Sequence, residues 1–250
     1  MSIQVIHIKK FEGIEKIDLL KYEEENPLLH LPDYKHKDIF IGKANKSPIM
    51  YDIEHWEMIL RNHYTSVISN FAYAMHYFYK GIPDDEWMVI SESEGSVEYF
   101  PHFKEEHYSN LDNFCHFIDV VFLKAFSIFE AIGHLLYKFF ELKLNDKDRR
   151  DKVSFRSAVA KLQTVNQPLY KELMKIIKSP KYTRGVKLRN QITHNHPPYT
   201  LSSGVNVING ETVYSIPDYT SSKKIKNTMV EILESIKTTL EILERHIKRR

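Results

Sequence analysis

At 250 residues with 42% hydrophobic and 27% charged side chains, the chain has the make-up of an ordinary globular protein and is long enough to bury a substantial core, as one large domain or two small ones. A formal net charge of +2 excludes a strongly basic nucleic-acid sleeve but leaves room for a local basic cleft. The single cysteine, Cys115, excludes an internal disulfide framework and fits a reducing cytoplasm.

The amino terminus lacks the long apolar stretch of a signal peptide, and no lipidation signal is present, so a cytoplasmic location is expected. Residues 1–50 are mixed. Ile3-Gln-Val-Ile-His-Ile8 and Asp38-Ile-Phe-Ile-Gly42 read as short strands, and Pro27, Pro32 and Pro48 interrupt anything longer. Over residues 54–80, Trp56, Leu60, Tyr64, Val67, Phe71, Met75 and Phe78 recur every three or four positions, which predicts an amphipathic helix closed by Gly81 and Pro83. Two further strands are expected around Trp87-Met-Val-Ile90 and Ser96-Val-Glu-Tyr-Phe100, and a domain boundary near residues 101–110. Residues 1–105 are thus an amino-terminal α/β extension of unassigned role, and residues 106–250 a helical unit.

Residues 110–144 carry the longest apolar periodicity, with Leu111, Phe114, Ile118, Val121, Phe122, Ala125, Phe129, Ile132, Leu136 and Phe139. Asp119, Lys124, Glu130, His134 and Lys138 interrupt every window long enough to span a bilayer, so a central bundle helix is expected and no membrane association. Glu130, His134 and Lys138 stand four apart and form a polar line along that helix. After the charged stretch 145–152, Ser154 is placed to cap a helix reaching about Thr164, and Pro168 to open another reaching Lys178. Asn209-Gly210 between Val205-Asn-Val-Ile208 and Thr212-Val-Tyr-Ser-Ile216 predicts a tight β-hairpin. A closing amphipathic helix runs from about Ser222 through Met229, Ile232, Ile236, Leu240, Leu243 and Ile247.

Between these lies the stretch with chemistry in it, Lys187-Leu-Arg-Asn-Gln-Ile-Thr-His-Asn-His-Pro-Pro198. The diproline cannot continue a helix and biases His196 toward extended backbone, so the stretch ends a helix that begins near Lys181. At about 100° per residue, Leu188 and Ile192 point one way while Arg189, Asn190 and His194 fan across the opposite side. An Arg fork matches phosphate oxygens and an imidazole titrates near neutrality, so the pair can bind a phosphodiester and move a proton without a metal. Lys178, Lys181, Arg184 and Lys187 upstream form a basic track suited to further phosphates. No Cys-x-x-Cys, His-Glu-x-x-His or glycine-rich phosphate loop is present, and no cofactor or metal is expected.

Leu188-Arg189-Asn190-Gln191-Ile192-Thr193-His194, on the penultimate helix of a helical unit, resembles the Arg-polar-x3-His signature of the HEPN superfamily. The resemblance covers about residues 106–250. It implies a mainly α fold, a HEPN-like helical bundle of four to five helices, here with the amino-terminal α/β extension and a small β-hairpin before the last helix. It also implies a homodimer whose two motifs form one composite cleft, and metal-independent cleavage of RNA by its own 2′-hydroxyl to a 2′,3′-cyclic phosphate, as in a toxin or defence effector held by a cognate antitoxin. On this reading Arg189, His194 and Asn190 are catalytic, Arg184, Lys187 and His196 bind substrate, and Glu130 and His134 are accessory to the Arg–His pair. The alternatives are a non-catalytic RNA- or nucleotide-binding module, or an interaction scaffold whose polar motif face serves a dimer contact.

Overall fold

The longest apolar stripe of the sequence becomes the axis of the molecule. In the computed structural model, which describes residues 6–11, 13–31, 48–91, 96–145, 148, 151–208 and 210–247, this stripe is a long helix, α2 (Glu105–Phe139). Ahead of it stand helix α1 (Pro48–Tyr79) and strands β1 (Met88–Ser91) and β2 (Ser96–Tyr99). After it come α3 (Phe155–Val165), α4 (Gln167–Lys178), α5 (Pro180–His194), strands β3 (Val205–Ile208) and β4 (Glu211–Tyr214), and the closing helix α6 (Ser222–Ile247). The architecture is a helical bundle carrying two antiparallel two-stranded hairpins, β1–β2 and β3–β4.

α2 is buried on most of its circumference: Phe114, Ile118, Val121, Phe122, Ala125, Phe129, Ile132 and Leu136 are all closed off from solvent. α1 lies along it and contributes Leu60, Val67, Phe71, Ala74 and Met75 to the same core. The stretch 101–110, where a boundary is expected, is the link after β2 and the first turn of α2, and α1, on its amino-terminal side, shares the core with α2. α2 begins at Glu105 rather than near residue 110, and stops at Phe139 because Glu141 takes a left-handed backbone (φ 50°) that no helix continues through. The three following helices start on side-chain caps: Ser154 Oγ accepts from Ser157 N, Asn166 Oδ1 from Leu169 N, and Ser179 Oγ from Tyr182 N.

Two glycines set how closely these helices approach. A methyl group on Gly133 of α2 would lie 2.6 Å from the backbone of Ser154 and Phe155, so α3 starts directly against α2. One on Gly185 of α5 would meet Ile232 of α6 at 2.8 Å.

Of the amino-terminal strand expected at Ile3–Ile8, residues 6–8 are described and are not strand, and the remainder lies outside the described residues, as does the expected strand at 38–42. The segment that follows is pinned to α2 by side chains instead: Lys9 N donates to Ser109 Oγ, Phe11 N to Asn113 Oδ1, and Asn113 Nδ2 to Lys9 O. Asp84, buried between α1 and β1, accepts from Tyr219 Oη (2.7 Å), Ser222 N (2.7 Å) and Ser222 Oγ (2.8 Å), which caps α6. Tyr219 also packs on Trp87 and Phe100, joining the bases of the two hairpins. Among the described residues no helix is long and apolar enough to cross a membrane.

Candidate functional site

α5 presents its motif as the helical spacing requires. Leu188 is buried and Ile192 half-buried against the bundle, so Arg189, Asn190 and His194 emerge on the outer side. His194 is the last helical residue; Asn195 caps the helix in extended backbone, and the chain leaves through His196, Pro197 and Pro198. Arg189 Nη1 donates to Asn190 Oδ1 at 3.0 Å and lies 3.5 Å from His194 Nε2. On the same turn the Thr193 hydroxyl donates back to Arg189 O at 2.9 Å. Beneath the guanidinium lies the ring of Phe126 on α2, with its centroid 5.5 Å from Arg189 Cζ, a cation–π contact that fixes the Arg without using its N–H groups.

Glu130, one turn beyond Phe126 on α2, faces the same spot. Much of its side chain is open to solvent, but its carboxyl accepts the Phe155 N–H at the start of α3. Loss of water there raises the carboxyl above the ordinary glutamate range, against the opposing pull of that hydrogen bond and of the Arg189 charge. Arg189 also acts by charge on Tyr182, a buried residue of α5 whose hydroxyl burial pushes up and whose oxygen accepts a hydrogen bond from Arg156 of α3. The site therefore draws on three helices: α5 supplies the polar pair, α2 the ring and carboxylate below it, and α3 a second guanidinium at the flank. Among the described residues no group of three or more His, Cys, Asp or Glu side chains is arranged to hold a metal ion.

A family model described as Cthe2314-like HEPN matches residues 56–248. The chain belongs to the HEPN superfamily. No curated protein and no solved structure matches it. The match begins within α1, so it takes in that helix and the β1–β2 hairpin together with α2 to α6. The mainly α bundle with a hairpin ahead of its last helix, expected from the sequence, is the fold of this HEPN chain.

The other residues singled out in the sequence are dispersed. Arg184 makes a two-pronged ion pair with Glu231 of α6, Nε to Oε2 at 2.8 Å and Nη2 to Oε1 at 2.6 Å, and Lys181 pairs with Glu234. The basic track expected along α5 is therefore interrupted on the side that faces α6, where carboxylates already occupy the cations. Lys187 is exposed. His196 turns its Nε2 to Thr200 O at 2.9 Å, inside the loop after the motif. His134 stacks flat on Trp56 of α1, ring centroids 3.6 Å apart, and burial, with Lys138 nearby, holds its imidazole below the ordinary histidine value. Of the polar line on α2, Glu130 thus reaches the motif while His134 is engaged with α1.

The β3–β4 hairpin has both its feet tied down. Tyr199 Oη donates to Asp119 of α2 at 2.5 Å, Thr220 N donates to Pro198 O, and Ser215 N donates to Gly204 O. Gly204 itself has φ 65°, and a side chain there would collide with Ser215 O. Val213 and Tyr214 are exposed. Phe126, Tyr182 and Arg156 were not singled out by spacing; each reaches the site only through contacts between helices.

Proposed function

We propose that this HEPN domain is a metal-independent endoribonuclease of the cytoplasm, working as a homodimer and held in check as a toxin or defence effector by a cognate antitoxin. The observation that carries the reading is the Arg189–His194 pair, 3.5 Å apart at an exposed helix end with the guanidinium seated on Phe126.

In the reaction the RNA 2′-oxygen attacks the adjacent phosphorus. Its proton passes to a neutral imidazole, and the bond to the 5′-oxygen breaks as that oxygen takes up a proton, leaving a 2′,3′-cyclic phosphate and a 5′-hydroxyl. Arg189 binds the non-bridging oxygens and stabilises the charge that gathers on them in the transition state. His194 carries a proton in one of the two transfers, its counterpart being either the same ring in turn or His194 of a second copy. Asn190, accepting from Arg189, orients the guanidinium and keeps an amide N–H pair for a phosphate oxygen.

The dimer reading draws on Leu123, a 52%-exposed apolar side chain on the turn of α2 just before Phe126, the ring under Arg189. The decisive test is cleavage of single-stranded RNA in excess EDTA, with the ends read by mass. Wild type should yield cyclic-phosphate ends, and His194→Ala should cut about 10²–10⁴-fold more slowly, with a comparable loss for Arg189→Ala. Absence of cyclic-phosphate products across diverse RNAs ends the nuclease reading. Retained RNA binding without cleavage would make the domain a binding module instead.

A further inference from the structure

Two guanidiniums at this end of the bundle stand on neighbouring aromatic rings. Arg189 Cζ is 5.5 Å from the centroid of Phe126, Arg156 Cζ is 5.6 Å from that of Tyr182, and the two rings are 6.0 Å apart. Arg156 occupies the first turn of α3, exposed to solvent, and donates a hydrogen bond to the Tyr182 hydroxyl. Three other cations on these helices are committed to carboxylates: Arg184 to Glu231, Lys181 to Glu234, and Lys161 to Asp151. A ring face, unlike a carboxylate, holds a guanidinium in place while leaving its charge uncompensated. Arg156 spends one N–H on the Tyr182 hydroxyl and keeps the rest of its fork for an outside acceptor.

On the proposed reading of the Arg189–His194 site as one that acts on RNA, on which this step rests, we infer that Arg156 is a second phosphate-binding residue. It holds a phosphodiester next to the scissile one, so the strand runs from the end of α5 across α2 toward the start of α3. In the opposite direction, up α5 toward α6, Arg184 and Lys181 are already compensated by Glu231 and Glu234, so that side attracts a polyanion less. Tyr182 is the positioning residue of this second contact: its ring supports Arg156 and its hydroxyl fixes the rotation of the fork. Because Gly133 lets α3 begin in backbone contact with α2, and Glu130 accepts the Phe155 N–H next to Arg156, the two guanidiniums are held on one rigid surface rather than on a loop.

The test uses the full chain and a fluorescent single-stranded RNA of about a dozen nucleotides, 2′-O-methylated so that it cannot be cut. Binding is followed by anisotropy across a series of salt concentrations. Arg156→Ala should weaken binding about 5–10-fold and reduce the slope of log K against log salt by ~0.7, the release expected from one lost single-strand phosphate contact. Arg156→Lys should keep the wild-type slope, because the charge remains, while losing part of the affinity with the fork. With unmodified RNA, Arg156→Ala should raise KM and leave kcat nearly intact, in contrast to Arg189→Ala. A thermal melt within ~2 °C of wild type separates this from loss of structure. Equal affinity and equal slope for Arg156→Ala and wild type would overturn the assignment. A wild type that binds RNA with an Arg156-dependent slope but leaves no cyclic-phosphate ends would remove the nuclease reading and keep the binding path; one that neither binds nor cuts would remove both.

Discussion

Glu130 is pulled both ways at once: the water it loses against α3 favours its neutral form, while the Phe155 N–H and the Arg189 charge favour the anion. The first effect wins, and its sign has a consequence for stability. A carboxyl whose folded value lies above its unfolded one binds its proton more tightly in the folded state, so stability rises as pH falls through that folded value, and ionisation costs stability above it. Glu130→Gln keeps the shape and an oxygen for the Phe155 N–H but removes the charge. The variant should melt higher than wild type at pH 7, with the advantage shrinking as pH drops into the carboxylate range, in melts taken from pH 4 to 8. A lower melting temperature at pH 7 would mean that the attraction to Arg189 outweighs the burial. Residues of this kind divide by how far their partners lie along the chain. Arg189, Asn190 and His194 were legible because one helical turn and a half contains all three, and Glu130 because it stands four residues from His134 in a polar line along an apolar helix. Arg156 and Tyr182 were not, since nothing within either helix marks the other as its neighbour, and Arg184 looked available for phosphate until α6 brought Glu231 against it.

Each helix expected from periodicity is present, because an apolar repeat of three and four, a Ser or Asn cap and a following Pro or Gly are all local signals. What the repeat does not encode is how near two helices come, which here depends on single hydrogen atoms. Gly133 and Gly185 make the comparison testable. At Gly133 the obstacle to a methyl group is backbone, with Phe155 N and Ser154 C both at 2.6 Å, so α3 itself must move. Gly133→Ala should cost about 2 kcal/mol, a fall of about 4–8 °C in Tm for a domain of this size, and should loosen the Glu130–Phe155 contact under the site. At Gly185 the obstacle is the Ile232 side chain, whose end can swing away, and Ala gains ~1 kcal/mol of helix propensity over Gly. Gly185→Ala should therefore melt within ~2 °C of wild type. Equal losses in the two variants, measured by calorimetry, would mean that the α2–α3 approach is no tighter than that between α5 and α6.

At the scale of the whole molecule, the buried Asp84 and the Tyr199–Asp119 bond fasten both hairpins and the loop after the motif to the helices. In the proposed homodimer the motif face is where the second copy would complete the site. Leu123, Phe126 and Glu130 follow one another along a single face of α2, with Arg189 standing above Phe126, so a partner covering Leu123 would lie against the Arg–His pair and exclude water from it. In the proposed reaction a wet cleft would weaken the charge stabilisation that Arg189 gives a phosphorane, whereas a covered one would strengthen it. Association and cleavage should then fall together. Wild type is expected to sediment as a dimer at micromolar concentration, and Leu123→Asp, which sets a carboxylate in the middle of the contact, as a monomer. The monomer should keep the wild-type helical circular-dichroism spectrum, because Leu123 is exposed within the single chain, while RNA cleavage drops more than tenfold. Cleavage at the wild-type rate by a species that sediments as a monomer would show that one chain holds the complete site, with His194 serving both proton transfers in turn.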